Sequence, residues 1–270
     1  MGLSTRNDLA ARFGAIASEA GRFIMSVYES EVRVQTKADG SPVSRADIGA
    51  EHIIRERLEA LLPGVPIIAE ESFNAERLTR APERFLLVDP LDGTREFISR
   101  YGEFTVNIAL VEGGQPIVGC VFAPALDRMY LAGETAMRAE LRPGEPVPEP
   151  HRLRALSTRT YPASGLCAVA SRSHLDPATE ALLERLHVNS CRTAGSSLKF
   201  CLIAQGEADV YPRLAPTMEW DTAAGQAVLA AAGGCVIAKD GLPLRYGKAE
   251  VGFRNESFVA WGRTPLLAAA

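Results

Sequence analysis

The sequence predicts a mixed chain, α+β or α/β, in which helices and sheets stack as a layered sandwich. Two observations carry this. Leu9, Phe13, Ile16, Ala20, Ile24 and Val27 recur at three- and four-residue spacing, the period of an amphipathic helix. Further along, short apolar runs bounded by Gly, Pro and Asp alternate with helical segments, as buried strands do. At 270 residues, the chain can form one large domain or two modest ones sharing a core.

After the first helix, Val32 and Val34 alternate with polar residues and predict a strand. "KADGSPVSRAD" is a turn-rich loop, and Ser44 is placed to cap a helix running to about Leu62. "VPIIAEES" and "RFLLVDPLDGT" are apolar strands that each end on acid. "TVNIALVEGGQPIVGCVFAPALDRMYLAG" reads as successive strands joined at Gly113-Gly114 and Ala123-Pro124. "RPGEPVPEP" (142–150) is the most proline-rich stretch and the best linker, dividing an α+β part (1–145) from a smaller α/β part (146–270). The second part predicts a strand at Leu166–Ala170, a helix from about Pro177 to His187 and a helix over Ser197–Ala204. A strand at Ala208–Pro212 follows. A helix then begins at Asp221, its "TAAGQAVLAAAGG" permitting close packing, and strands lead toward the C-terminus.

Composition narrows the function. A formal net charge of −4 argues against a nucleic-acid polymer as partner, since that needs a concentrated basic face. No apolar stretch approaches the roughly 20 residues that span a bilayer, and the N-terminal segment lacks the pattern of a secretory signal. Cysteines at 120, 167, 191, 201 and 235 are odd in number, scattered and without metal-ligand pairing. They read as reduced residues of a cytoplasmic protein.

The chemistry gathers at "FLLVDPLDGTREF" (85–97). Taken alone, Asp92-Gly93 is a common turn. An apolar strand that delivers two acids and a threonine to a helix start is rarer. Pro90 stiffens the path and Gly93 permits a sharp one, so Asp89 and Asp92 can converge. Two carboxylates about 4 Å apart repel by roughly 4 kcal/mol at an effective dielectric of about 20, and a cation between them removes that cost. Oxygen-only ligands favour a hard ion, Mg²⁺ before Mn²⁺ or Ca²⁺; His52, His151, His174 and His187 have no zinc-like spacing. Thr94 is placed to cap the helix beginning at Arg95, and a helix start beside a cation suits a phosphate. Glu70 and Glu71 end the neighbouring strand, Ser44-x-x-Asp47 matches a capping box, and Asp221 stands before its own helix. Each acid has an ordinary local role; convergence on one cation accounts for them jointly.

"DPLDGT", "WDTAAG" and the upstream "EES" resemble the inositol monophosphatase superfamily of Mg²⁺-dependent, lithium-sensitive phosphatases. "KADGSPVSRADIGAE", "VDPLDGTREFISRYGEFTVNIALVEGG", "AGSSLKFCLIAQGEADVYPR" and "WDTAAGQAVL" are similar to its CysQ-type 3′(2′),5′-bisphosphate nucleotidases. The resemblance spans nearly the whole chain and is weakest in 72–83 and 134–160. It implies the αβαβα fold shared with fructose-1,6-bisphosphatase. It implies that Glu70, Asp89, Asp92, Asp221 and the Leu91 carbonyl bind metal: two or three Mg²⁺, with Mn²⁺ able to substitute and Li⁺ and Ca²⁺ inhibitory. Asp47 and Thr94 would activate the attacking water, with Glu70 counted beside them as catalytic. Asp92, Gly93, Thr94, His174, Gly195, Lys199 and Arg213 would bind substrate, and Glu219 would reach a sugar hydroxyl.

The implied reaction is hydrolysis of adenosine 3′,5′-bisphosphate to AMP, extending to its phosphosulfate precursor, which would clear a by-product of sulfate assimilation. Inositol 1-phosphate hydrolysis is the alternative, and a non-catalytic nucleotide or metal sensor of the same fold is a remote one. The haloacid-dehalogenase motif fails because "DPLD" has one residue too many for Asp-x-Asp, and no Cys–Arg loop, Gly-x-Ser-x-Gly elbow or Walker loop occurs. The expected partner is a small phosphorylated nucleotide. Monomer or homodimer, and peripheral association with an inner membrane, are left open.

Overall fold

The computed structural model describes residues 5–30, 34–36, 42–74, 80–170 and 177–266. Val32 and His174 lie outside the described residues. Helix α1 (Arg6–Tyr28) starts where the Thr5 hydroxyl accepts the Asp8 N–H, and it buries the predicted stripe from Leu9 to Val27. Strands β1 (Val34–Thr36) and β2 (Pro42–Ser44) form a short antiparallel pair leading into α2 (Arg45–Leu61). Ser44 caps α2 as predicted, accepting the Ala46 N–H while Asp47 accepts the Ser44 N–H.

Seven strands follow: β3 (Ile67–Ala69), β4 (Arg84–Asp92), β5 (Thr105–Glu112), β6 (Gln115–Ala123), β7 (Arg128–Ala132), β8 (Ala136–Glu140) and β9 (Arg154–Ala155). They hydrogen-bond in that order, antiparallel except for the β3–β4 pair, with α3 (Thr94–Ile98) inserted between β4 and β5. The proline-rich stretch before β9 is strapped to α1 rather than left as a tether. Gly144 N–H donates to the Ser18 carbonyl at 2.9 Å, and the Ser18 hydroxyl donates to the Glu145 carbonyl at 2.8 Å.

The rest of the chain runs β10 (Leu166–Ala170), α4 (Pro177–Arg185), β11 (Val188–Thr193), α5 (Leu198–Ala204), β12 (Val210–Arg213), β13 (Thr217–Met218), α6 (Ala223–Ala231), β14 (Cys235–Ala238), β15 (Arg254–Asn255) and β16 (Phe258–Trp261). A second sheet has the order β11-β10-β12-β16-β14, parallel through its first three strands and antiparallel at β16; β13 and β15 form a separate pair. Strand β11 was not predicted. Its residues "VNSCRT" are mostly exposed at the sheet edge, so no apolar alternation marks it.

Strand alternation explains the layers. Leu86, Val88, Val106, Ile108 and Leu110 join the core of α1 and α2, while Phe85, Leu87, Ala109 and Val111 join that of α5 and α6. The latter core also takes Val169, Tyr211 and Phe258 from the second sheet. On that sheet's far face, Leu182 and Leu183 of α4 pack against Leu166, Ala168 and Val210. The stack is therefore α–β–α–β–α. Gly119 of β6 lets α6 lie directly on the sheet: a Cβ there would stand 2.7 Å from Ala227 Cβ and 2.8 Å from the Ala224 carbonyl. Among the described residues no helix is long and apolar enough to cross a membrane.

Candidate active site

Strand β4 runs past Asp89 and continues to Asp92 through a bulge. Asp89 pairs with Asn107 and Asp92 with Thr105, so β4 takes three steps where β5 takes two. Pro90 has no N–H for the ladder, and a bulge is where that omission is tolerated. In a regular strand, residues three apart face opposite ways. The extra residue cancels one alternation, which lets both carboxylates turn to one side.

Each aspartate of the set has one oxygen anchored by a main-chain N–H. Asp89 Oδ1 accepts from Leu91 at 3.0 Å, Asp92 Oδ2 from Ser197 at 2.7 Å, and Asp221 Oδ2 from Met218 at 2.8 Å. Their second oxygens accept no hydrogen bond among the described residues. Burial pushes the Asp89 carboxyl well above the ordinary range, with Glu70, Asp92 and Asp221 adding to the shift. Burial likewise lifts Asp221, with Asp92 and Glu70 adding. Asp92 is pushed up to about 6 by burial, although Lys199 and the Ser197 amide pull it down. Glu70, just past β3, raises all three.

Buried acids that raise one another in this way hold negative charge at a cost, which a cation relieves. The donor set is oxygen only, so it fits a hard divalent ion. Among the described residues no group of three or more His, Cys, Asp or Glu side chains is arranged to hold a metal ion; Glu70, Asp89, Asp92 and Asp221 lie within electrostatic reach of one another.

Thr94 is not the cap residue. Gly93 (φ 92°) occupies that position, and Thr94 is the first residue of α3. Its hydroxyl donates instead to Asp47 Oδ1 at 3.1 Å and lies 3.4 Å from the Leu91 carbonyl. Asp47 Oδ2 is held by the Ser44 N–H and hydroxyl, both at 2.7 Å. The capping role and the Thr94 contact therefore use different oxygens of one buried carboxylate. Asp221 likewise caps nothing: α6 opens at Ala223 with Thr222 in the cap position.

From the second half, the segment 194–199 reaches across to the acids. Gly195 donates its N–H to the Glu103 carboxylate at 3.0 Å, and a Cβ there would stand 2.5 Å from the Glu103 carbonyl. Lys199 is buried, 5.4 Å from the Tyr211 ring centroid, so it is not a solvated helix face. Burial lowers its ammonium from the usual lysine range, while Asp92 opposes that shift. Arg213 ties its guanidinium to the Ala215 and Pro216 carbonyls at 3.1 and 3.4 Å. Its charge still acts on Lys199 and Asp221. The expectation that Glu219 reaches a sugar is corrected. Its carboxylate is fully buried, takes the Gly247 and Lys248 N–H groups, and pairs with Lys248 Nζ at 2.8 Å. His174 lies outside the described residues.

The sequence pattern of the inositol monophosphatase family matches residues 6–269. The chain belongs to the inositol monophosphatase family. Relatives include the 3′(2′),5′-bisphosphate nucleotidases CysQ of Shigella flexneri and of Escherichia coli strain K12. Each is 44% identical over 245 residues, covering 90% of this chain and 95% of the relative. The crystal structure of CysQ from Bacteroides thetaiotaomicron, described as a bacterial member of the inositol monophosphatase family, has a similar fold. It matches with a TM-score of 0.78 at 35% identity, covering 94% of this chain and 97% of that one.

Within this family site, several contributors went unmarked in the sequence. Asn107, in the apolar run of β5, places Nδ2 3.4 Å from Asp92 Oδ2. Glu51 is buried on α2, where its carboxylate accepts the Glu71 N–H at 2.7 Å and so holds the chain beside Glu70. Both carried a signal: an amide inside an apolar strand needs a partner, and Glu51 lies one turn from Asp47 on the same helix face. Ser197 and Glu103 had no such mark, because their contacts are set by the tertiary fold.

Proposed function

We propose that this chain is a 3′(2′),5′-bisphosphate nucleotidase that hydrolyses the 3′-phosphate of adenosine 3′,5′-bisphosphate, giving AMP and phosphate. The observation that carries the reading is the Thr94–Asp47 contact set beside four mutually interacting acids, in a chain 44% identical to proteins of that name. The phosphosulfate precursor fits the same site class.

Glu70, Asp89, Asp92, Asp221 and the Leu91 carbonyl would hold Mg²⁺. Such an ion, when bound, makes water easier to deprotonate and stabilises charge on phosphoryl oxygens. Thr94 donates its only hydroxyl proton to Asp47, which leaves Oγ1 lone pairs to orient a water for attack on phosphorus. As the new P–O bond forms, the water's proton passes to Thr94 Oγ1 and the threonine proton moves to Asp47 Oδ1. The bond from phosphorus to the 3′-oxygen breaks, and the departing oxygen takes a proton from solvent. The Ser44 contacts keep the Asp47 carboxylate turned so that Oδ1 faces Thr94.

Recognition of the rest of the nucleotide is assigned to Gly93, Gly195, Lys199, Arg213 and His174, with the division of labour between 1–145 and 146–270 expected from sequence. Hydrolysis in ¹⁸O-water tests the reaction. The label is expected in released phosphate and absent from AMP; label in the nucleoside hydroxyl, or release of the 5′-phosphate, would overturn the assignment.

A further inference from the structure

Asp92 is oriented from two elements at once. The Ser197 N–H donates to Asp92 Oδ2 at 2.7 Å, and Asn107 Nδ2 approaches the same oxygen at 3.4 Å. The Ser197 hydroxyl donates to Asn107 Oδ1 at 2.6 Å and lies 2.9 Å from Thr105 Oγ1. These contacts close a hydrogen-bonded ring through Asp92, Ser197 and Asn107. Asn107, Thr105 and Ser197 are all buried, and in the β4–β5 register Asn107 stands opposite Asp89 and Thr105 opposite Asp92. Beside the ring, the Ser196 hydroxyl bonds the Asp92 and Glu103 carbonyls, each at 2.8 Å.

A ring that engages Oδ2 twice removes the rotational freedom of the carboxylate and leaves Oδ1 as the atom available to a ligand. We propose that Ser197 and Asn107 are a positioning pair that aims the Asp92 carboxylate at a divalent cation, so the 194–199 segment sets cation affinity as well as contributing to the nucleotide side. The inference rests on the reading of Asp92 as a cation ligand. Partners that orient metal-binding groups change affinity by about 10- to 100-fold when removed.

Mn²⁺ binding to the full chain, followed by the paramagnetic resonance signal of free Mn²⁺, tests it without recourse to turnover. Asn107→Ala, which removes the side-chain donor to Asp92 Oδ2, is expected to raise the Mn²⁺ Kd about tenfold. Ser197→Ala keeps the main-chain N–H on that oxygen and loses only the hydroxyl that holds Asn107 Oδ1, so it is expected to raise Kd by a smaller factor. The double variant is expected to be no weaker than the worse single one, because the pair acts as a unit. Ser197→Thr, which keeps the hydroxyl, is expected to recover most of the affinity. Thermal unfolding of the same samples shows which variants fold; should Asn107→Ala not fold, Ser197→Ala alone decides. Unchanged Kd in folded Ser197→Ala, with binding lost in Asp92→Asn, would overturn the positioning role and leave the site intact. Unchanged Kd in Asp92→Asn would overturn the site itself.

Discussion

The Thr94 hydroxyl meets Asp47 Oδ1 at 3.1 Å, joining the start of α3 to the first turn of α2 across 47 residues of chain. Neither residue is in a strand of the acid-bearing sheet, yet both are fixed by it: Thr94 follows the β4 bulge, and α2 packs on β4. If the pair orients water, Thr94→Val is expected to lower kcat by about 10²- to 10⁴-fold with little change in KM, while Thr94→Ser keeps most of the activity. Equal losses in the two variants would point to packing instead. Asp47→Asn is expected to show a similar kcat loss and a further stability cost of about 1 kcal/mol from the damaged cap.

Asp89→Asn separates function from folding. The carboxylate it replaces is buried among acids that raise its proton affinity, so neutralising it relieves repulsion. Phosphate release is expected to vanish while the Tm measured without divalent cation at pH 8 holds or rises. An active, destabilised Asp89→Asn protein would contradict the assignment.

The raised carboxyls predict opposite pH trends for stability and cation binding. Asp92 titrates at about 6 in the fold against 3.8 ordinarily. Its stabilising contribution is therefore complete below 3.8 and is lost as pH rises through about 6. Without divalent cation, Tm is expected to fall as pH rises from about 4 to about 7, beyond what an Asp92→Asn control shows. Cation affinity moves the other way, weakening as pH drops below about 6, because protons compete for the same oxygens. Calorimetric titrations with Mg²⁺ at a series of pH values check both the direction and the protons released.

Buried Glu219 predicts a structural role for Lys248. Lys248→Met leaves the carboxylate with only two main-chain donors, at an expected cost of about 3 kcal/mol by denaturant unfolding. Adding Glu219→Gln is expected to recover much of that loss. If Glu219 instead served substrate, Glu219→Gln would raise KM without affecting stability.

Much of the site was legible because its residues close local elements. Asp89 and Asp92 end an apolar strand, Ser44 and Asp47 form a capping box, and the α1 stripe is buried where its period put it. The layer order also follows from strand alternation once the two sheets are in place. What the chain order hides is whatever depends on a partner far along it. A turn and a bulge look alike in "DPLDGT" until β5 supplies the register that makes Asp89 and Asp92 share a side. The burial of Lys199 is hidden in the sequence because nothing nearby in the chain shows that Tyr211 and Asp92 stand beside it. The sugar role considered for Glu219 failed for the same reason, since Lys248 is 29 residues away.

A nucleoside bisphosphate is the substrate proposed for this acid site. That assignment is tested most directly by measuring kcat/KM with Mg²⁺ for adenosine 3′,5′-bisphosphate, its phosphosulfate precursor and inositol 1-phosphate, in wild type and Lys199→Met. The bisphosphate is expected to be preferred over inositol 1-phosphate, Li⁺ to inhibit, and the loss in Lys199→Met to be confined largely to the nucleotides. A preference for inositol 1-phosphate, or an equal loss on all three substrates, would contradict the assignment.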